Sequence, residues 1–235
     1  MVKAAVLRRP FLVINPKAYL YGEDSLALAR HANNLSERYD IDVLFTGQSV
    51  DLARIASECP SLFVCAQHMD GIKPGADVGR MLPEAMAAAG VRATFLNHAA
   101  HPLTVHEVFQ AVMRAREVGV LSVVLADSIE EGEMLAHLNP DVMICELTSL
   151  IGTGHVADID YMRNSTVAVK RVSPTTLVIQ AAGIHSGKNV YDAIMLGADG
   201  SGGTSGIVNA LDPMGMVGEM MEALVQARGD LARRG

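Results

Sequence analysis

Asp141-Val-Met-Ile-Cys-Glu146 is a short apolar run that ends in a carboxylate, and Leu150-Ile-Gly-Thr-Gly154 follows soon after it. Apolar residues in succession, with no polar alternation, predict a strand covered on both faces, as in a parallel sheet flanked by helices. Glu146 then stands at the C-terminal tip of a buried strand, in position to act as a base. The glycine-bearing segment after it can move and can offer backbone N–H groups to an anion.

The same alternation of short apolar runs and longer helical stretches fills the chain. Strands are predicted at Phe11–Asn15, Ile41–Thr46, Leu62–Ala66, Ala93–Asn97, Val120–Ala126, Asp141–Cys145, Thr176–Ala181 and Asp199–Gly203. Helices are predicted at Ser25–Arg38, Val50–Glu58, Arg80–Ala89, Val105–Glu117, Ile129–His137, Ile159–Val169, Asn189–Leu196 and Met216–Ala227. Thr104-x-x-Glu107 and Ser128-x-x-Glu131 read as capping boxes, and Gly90 and Gly119 stand where left-handed helix stops belong. Pro60, Pro83, Pro102, Pro140 and Pro174 fall in connections or first turns, where a missing N–H costs little. No linker or composition break divides the chain. Eight strand–helix units in 235 residues predict an α/β fold, a (β/α)8 TIM barrel forming one domain over residues 1–235. The alternative, an open doubly wound sheet, lacks a GxGxxG at the first helix.

Composition narrows the function classes. With 50% hydrophobic and 19% charged residues the chain can bury a large core. A formal charge of −7, no Trp and 4% aromatic residues argue against nucleic-acid partners and against stacking platforms for bases or sugars. Cys59, Cys65 and Cys145 form no CxxC pair and leave an odd count, which suits a reducing compartment and neither a disulfide framework nor a zinc site. Met1–Phe11 lacks the apolar core of a signal peptide, and no apolar run approaches the roughly 20 residues of a membrane helix. A cytoplasmic protein with no membrane partner is expected.

In a barrel, reactive groups sit where strands end. After the first strand come Asn15-Pro-Lys17; residues two apart on a strand share a face, so Asn15 and Lys17 can both point into the mouth. Taken alone, Lys17 reads as a solvated lysine; with the other strand ends it reads as a cation for an anionic substrate. After the fourth comes Asn97-His98, before a capped helix whose positive end is expected to depress the histidine pKa. A neutral imidazole there can polarise a carbonyl. After the sixth comes Glu146. After the seventh and eighth come Ala182-Gly-Ile-His-Ser-Gly187 and Gly200-Ser-Gly-Gly-Thr-Ser-Gly206, small-residue loops suited to phosphate. The thirteen methionines read as core filler. Asp127 with Ser128 reads as a helix cap. His101, His106 and His155 lack metal-ligand spacing, so no metal and no cofactor is expected.

With Asn-x-Lys, Asn-His, Glu and two phosphate-type loops at successive strand ends, the chain resembles the triosephosphate isomerase family along nearly its whole length. It looks closer to the compact archaeal-type branch in Ala66-Gln-His-Met-Asp70, Lys73-Pro-Gly75 and Ala182-Gly-Ile-His-Ser-Gly187. The resemblance implies an aldose–ketose isomerase acting on a small phosphorylated sugar. Glu146 would move the carbon-bound proton, neutral His98 would polarise the carbonyl, and Lys17 with Asn15 would carry the charge of the enediolate. Gly152, Ser186, Thr204 and Ser205 would hold the phosphate, and Leu147–Gly154 would close as a lid. The family also implies a homodimer or homotetramer.

The departures cluster near the same site. The family usually continues Asn-His with Ser-Glu, whereas this chain has Ala99-Ala100-His101-Pro102 and lacks the carboxylate expected to meet the lysine. The lid prolines and second glutamate are replaced by Leu147-Thr148-Ser149, and Asp77-Val78-Gly79 lacks the usual threonine. These differences favour an isomerase retuned for another small phosphorylated sugar, such as a tetrulose phosphate or a triose phosphate, with the four-carbon sugar as the natural example. The ordinary triosephosphate isomerase is the alternative, followed by a non-catalytic phosphosugar-binding barrel. A lyase or epimerase sharing only the architecture would want a Schiff-base lysine deep in the barrel, but Lys170 beside Arg171 reads as a surface turn.

Overall fold

Each strand is four to six residues long and, apart from half-buried Leu177, buried throughout, and such strands need cover on both sides. In the computed structural model, which describes residues 6–146 and 158–234, that cover comes from a ring of helices. The elements run β1 (Phe11–Ile14), α1 (Gly22–Tyr39), β2 (Val43–Gly47), α2 (Leu52–Glu58), β3 (Leu62–Ala66), α3 (Pro83–Ala88), β4 (Ala93–Leu96) and α4 (Val105–Val118). They continue with β5 (Leu121–Ala126), α5 (Ile129–Ala136), β6 (Val142–Cys145), α6 (Ile159–Val172), β7 (Leu177–Gln180), α7 (Gly187–Met195), β8 (Gly200–Gly203), α8 (Ser205–Val208) and α9 (Pro213–Arg234). All eight strands pair in parallel in chain order, and β8 returns to β1 with Phe11 opposite Gly200 and Ile14 opposite Gly203. The (β/α)8 barrel expected from the sequence is the fold observed.

The two-residue period of the strands sorts the core into two shells. Phe11, Val13, Leu44, Phe63, Cys65, Phe95, Val123, Leu125 and Ile144 form one cluster, which fills the barrel. Leu12, Ile14, Val43, Phe45, Leu62 and Val64 face the other way and pack with helix residues such as Leu26, Ile55 and Leu224. β8 contributes no large side chain, and Phe11 takes up the space: a Cβ on Gly200 would lie 2.5 Å from its ring. Gly202 is required more sharply. Its φ is +137°, and a Cβ there would lie 2.1 Å from the Val13 carbonyl oxygen.

Local signals mostly hold. Thr104 and Glu107 make a full capping box, Gly119 closes α4 in the left-handed region, and Gly90 has φ +86° after α3. The second expected box is only half formed. The Ser128 hydroxyl accepts the Glu131 N–H, but the Glu131 carboxylate instead takes the Asp127 N–H and the Asn97 side chain. Two strands expected to begin at Asp141 and Asp199 begin one residue later. Both aspartates spend their side chains at the barrel floor, accepting N–H bonds from Ser122 and Val178. Lys170 is corrected too: it lies in the last turn of α6, not in a surface turn, and pairs with Asp199 at 2.7 Å. α8 was not expected, since Ser205-Gly-Ile-Val208 carries no helical period and reads as loop. Among the described residues, no helix is long and apolar enough to cross a membrane.

Candidate active site

At the C-terminal end of the strands, Val13, Phe95, Leu125 and Ile144 form the apolar floor of a cavity of about 660 Å³ that opens to solvent. Its walls carry Asn15, Lys17, His98, Glu146, Thr204 and Ser205. Six of the eight residues expected to form a site therefore meet in one place. A largely apolar cavity with a few convergent polar groups is the ordinary form of a small-molecule site.

Lys17 reaches the cavity by a route the strand period did not anticipate. β1 ends at Ile14, and Lys17 sits in a turn with φ +49°, a conformation that costs a non-glycine residue about 1 kcal/mol or more. Hydrogen bonds on both sides of the residue hold it there. Its N–H donates to Asn15 Oδ1 at 3.0 Å, and its carbonyl accepts Nε2 of Gln48 at 3.0 Å and Nε2 of Gln67 at 2.8 Å. Asn15 is 6% exposed, and its Oδ1 also accepts the Thr46 hydroxyl at 2.6 Å. Sequence reasoning missed Thr46, Gln48 and Gln67. The signal was present, since polar residues stand at the ends of β2 and β3 where a barrel keeps its chemistry.

His98 follows Asn97, which has φ +61° and is tied on three sides. Asn97 Nδ2 donates to the Leu125 carbonyl at 2.9 Å and to Glu131 at 3.1 Å, and Oδ1 accepts the Leu103 N–H at 3.0 Å. The Ala100 N–H donates to His98 Nδ1 at 2.9 Å, so Nδ1 is an acceptor and the neutral ring carries its proton on Nε2. Burial first, and the Lys17 charge second, push the His98 pKa down from 6.5 to about 4. The expected depression is present but not for the expected reason. α4 begins only at Val105, and its N–H groups serve its own capping box.

Glu146 stands just past β6, with its N–H on the Ala126 carbonyl at 2.9 Å. Burial raises its pKa above the usual 4.5, and Lys17 opposes that rise. Lys17 thus acts on both neighbours, keeping His98 neutral and helping Glu146 to ionise.

Across the cavity, Thr204 caps α8 and Ser205 opens it, while Gly183, Ile184 and Gly203 complete the wall. Ser186 is not brought to this cavity. Its hydroxyl caps α7, accepting the Asn189 N–H at 3.2 Å and donating to Asn189 Oδ1 at 2.9 Å. The Gly187 N–H, next in line at the start of α7, donates to Glu219 at 2.6 Å. A carboxylate at that helix start opposes a phosphate on the Gly187 N–H. Of the two small-residue loops expected to take phosphate, the one after β8 brings Thr204 and Ser205 to the cavity and the one after β7 brings Gly183 and Ile184. Gly152, the lid segment Leu147–Gly154 and His155 lie outside the described residues.

The altered strand-4 loop leaves a second recess beside Lys17 and His98, lined by Ala100, His101, His68, Gln48 and Gln67. The rings of His68 and His101 lie 4.3 Å apart, and His68 Nε2 is 3.4 Å from Asp70. No group of three or more His, Cys, Asp or Glu among the described residues is arranged to hold a metal ion.

The chain as a whole has counterparts among known proteins. The family model for triosephosphate isomerase matches residues 10–210. The triosephosphate isomerase of Sulfurisphaera tokodaii is 33% identical over 211 residues, 88% of this chain and 92% of its own length. That of Methanothermus fervidus is 34% identical over 209 residues, covering 87% and 94%. That of Methanosarcina barkeri is 31% identical over 220 residues, covering 92% and 99%. With the family model matching residues 10–210 and relatives more than 30% identical over most of their length, the chain belongs to the triosephosphate isomerase family.

Proposed function

We propose that this isomerase interconverts the two triose phosphates, dihydroxyacetone phosphate and glyceraldehyde 3-phosphate. The observation that carries the reading is the convergence of Glu146, His98 and Lys17 on one cavity, where burial keeps the His98 imidazole neutral. Glu146, as carboxylate, takes a proton from the carbon beside the carbonyl. The electron pair left behind forms the enediolate, whose oxygen charge is met by the Nε2–H of His98 and the ammonium of Lys17. His98 moves the hydroxyl proton from one enediolate oxygen to the other, and Glu146 returns its proton to the neighbouring carbon, giving the other isomer with no net change in composition. Asn15 adds a side-chain donor beside Lys17. Thr204 and Ser205 hold the phosphate in this reading, with Gly152 and Ser186 kept as further phosphate contacts. No cofactor is required.

The sequence departures had put a four-carbon substrate first. Relatives covering most of this chain carry the name triosephosphate isomerase, and they support the three-carbon substrate instead. We extend the reading to one barrel domain over residues 1–235, in the cytoplasm, assembled as two or four copies. Exposed apolar side chains at Val78, Val105, Phe109 and Met134 support assembly, since Val105 and Phe109 share one face of α4.

The test is turnover of both triose phosphates beside erythrose and erythrulose phosphates, using protein from a host without its own triosephosphate isomerase and Glu146→Gln as control. Fast, Glu146-dependent triose conversion is expected. A four-carbon rate that exceeds the triose rate would return the four-carbon reading to first place.

A further inference from the structure

We infer that Thr46 is a positioning residue for the Asn15–Lys17 turn. The inference rests on the proposed roles of Asn15 and Lys17.

β2 alternates strictly. Val43 and Phe45 pack into the outer shell while Leu44 enters the barrel, so Thr46 faces inward at the top layer. It is fully buried, at 0% exposure. A hydroxyl in that apolar lumen is costly unless bonded, and its one proton goes to Asn15 Oδ1 at 2.6 Å. The same oxygen accepts the Lys17 N–H at 3.0 Å.

Two donors on one oxygen fix the carboxamide. Turning Asn15 over would set its NH2 against the Lys17 N–H, which cannot accept, and would take the acceptor away from the buried Thr46 hydroxyl proton. Asn15 Nδ2 is therefore held on the side away from Lys17 N–H and Thr46, and Lys17 is held in its left-handed turn from the same atom. Gln48 and Gln67 grip only the Lys17 carbonyl. Thr46 is thus the one side chain among the described residues that bonds to the Asn15 side chain.

The test uses Thr46→Val, which keeps the shape and removes the hydroxyl, and Thr46→Ser, which keeps the hydroxyl. Thr46→Val is expected to lower kcat about tenfold, the weight of one hydrogen bond, with KM changed by no more than about twofold. Thr46→Ser should recover most of that rate. In an Asn15→Ala background Thr46→Val should cost nothing further, because the two residues act through one contact. Unchanged kcat in Thr46→Val, or an equal loss in the Asn15→Ala background, overturns the proposal. A loss confined to thermal stability makes Thr46 merely a packed hydroxyl and also overturns it. The side-chain amide of Asn15, read by 15N NMR, tests the same point without turnover. Two sharp, dispersed proton signals are expected in the wild type and Thr46→Ser, and broadened or shifted ones in Thr46→Val. An unchanged Asn15 amide in Thr46→Val sinks the inference even if the wild type converts no triose phosphate, an outcome that would separately count against the proposed function.

Discussion

The Ala100 N–H donates to Nδ1 of His98 at 2.9 Å, so the backbone of the altered strand-4 loop decides which nitrogen of the imidazole carries the proton. Protonating Nδ1 would set two donors face to face. That contact therefore adds to the burial that already holds the pKa near 4.

A direct consequence is a histidine that stays neutral throughout the working range. 15N NMR of His98 should find the Nε2–H tautomer from about pH 5 upward, with no titration near the ordinary histidine value. The profile of kcat/KM should have a single acid limb, set by Glu146 at a pKa above 4.5, because burial outweighs the pull of Lys17. A second inflection near 6.5, traced to His98 by NMR, would contradict this assignment.

Glu146→Gln is expected to lower turnover by about 10³-fold with little change in phosphate affinity, since the carboxylate acts chiefly in the transition state. The same substitution should raise stability. Glu146 has a folded-state pKa above its unfolded value, so the native protein loses stability as pH rises from 4.5 through the folded value. Glutamine has no such loss. Its melting temperature should exceed the wild type's by most at about pH 8, and the gap should close as the pH falls towards the unfolded carboxylate value. Equal melting curves at both ends would show that the burial of Glu146 carries no penalty.

Lys17→Ala removes the charge that faces both partners. KM should rise and kcat should fall together, and the His98 pKa should move up because one of its two depressing influences is gone. Retention of both kinetic constants would make Lys17 a bystander in the cavity wall.

Glycines in this chain should respond oppositely to the same change. Gly202→Ala places a Cβ 2.1 Å from the Val13 carbonyl oxygen at a φ of +137°, so a loss of at least about 3 kcal/mol is expected, or no folded protein. Gly218, inside α9, has nothing within 4 Å of a new Cβ, and Gly218→Ala should stabilise by about 0.5–1 kcal/mol. Urea melts of the two variants check both signs.

Much of this was legible because most strands are buried apolar runs with punctuation at their ends. Strand positions, the barrel and the location of Glu146 and His98 all follow from that pattern. What escaped was set by atoms the linear pattern does not carry. Lys17 reaches the cavity through a left-handed turn, not through strand alternation, and its supports Thr46, Gln48 and Gln67 come from neighbouring strands. The contacts of Ser186 escaped as well, although a small-residue loop and a helix start were both legible there. Glu219, brought over from α9, occupies that helix start and leaves the Ser186 hydroxyl to cap it. The short α8 escaped because four residues cannot display a helical period.

The glycines of β8 and the loop after it do two jobs at once. Gly202 lets β8 close against Val13, and Gly206 passes so near the loop after β7 that a Cβ would lie 2.2 Å from the Ile184 carbonyl oxygen. Thr204 and Ser205, which line the cavity, are strung between these two points. The last strand to join the ring thus completes the scaffold and one wall of the ligand chamber in a single act. A chain arrested before β8 docks would have neither, whereas the Glu146 and His98 strand ends could already be in place. Under the proposed function, ligand contact and ring closure meet at this seam, and substrate analogues are expected to slow unfolding chiefly by holding β8 against β1.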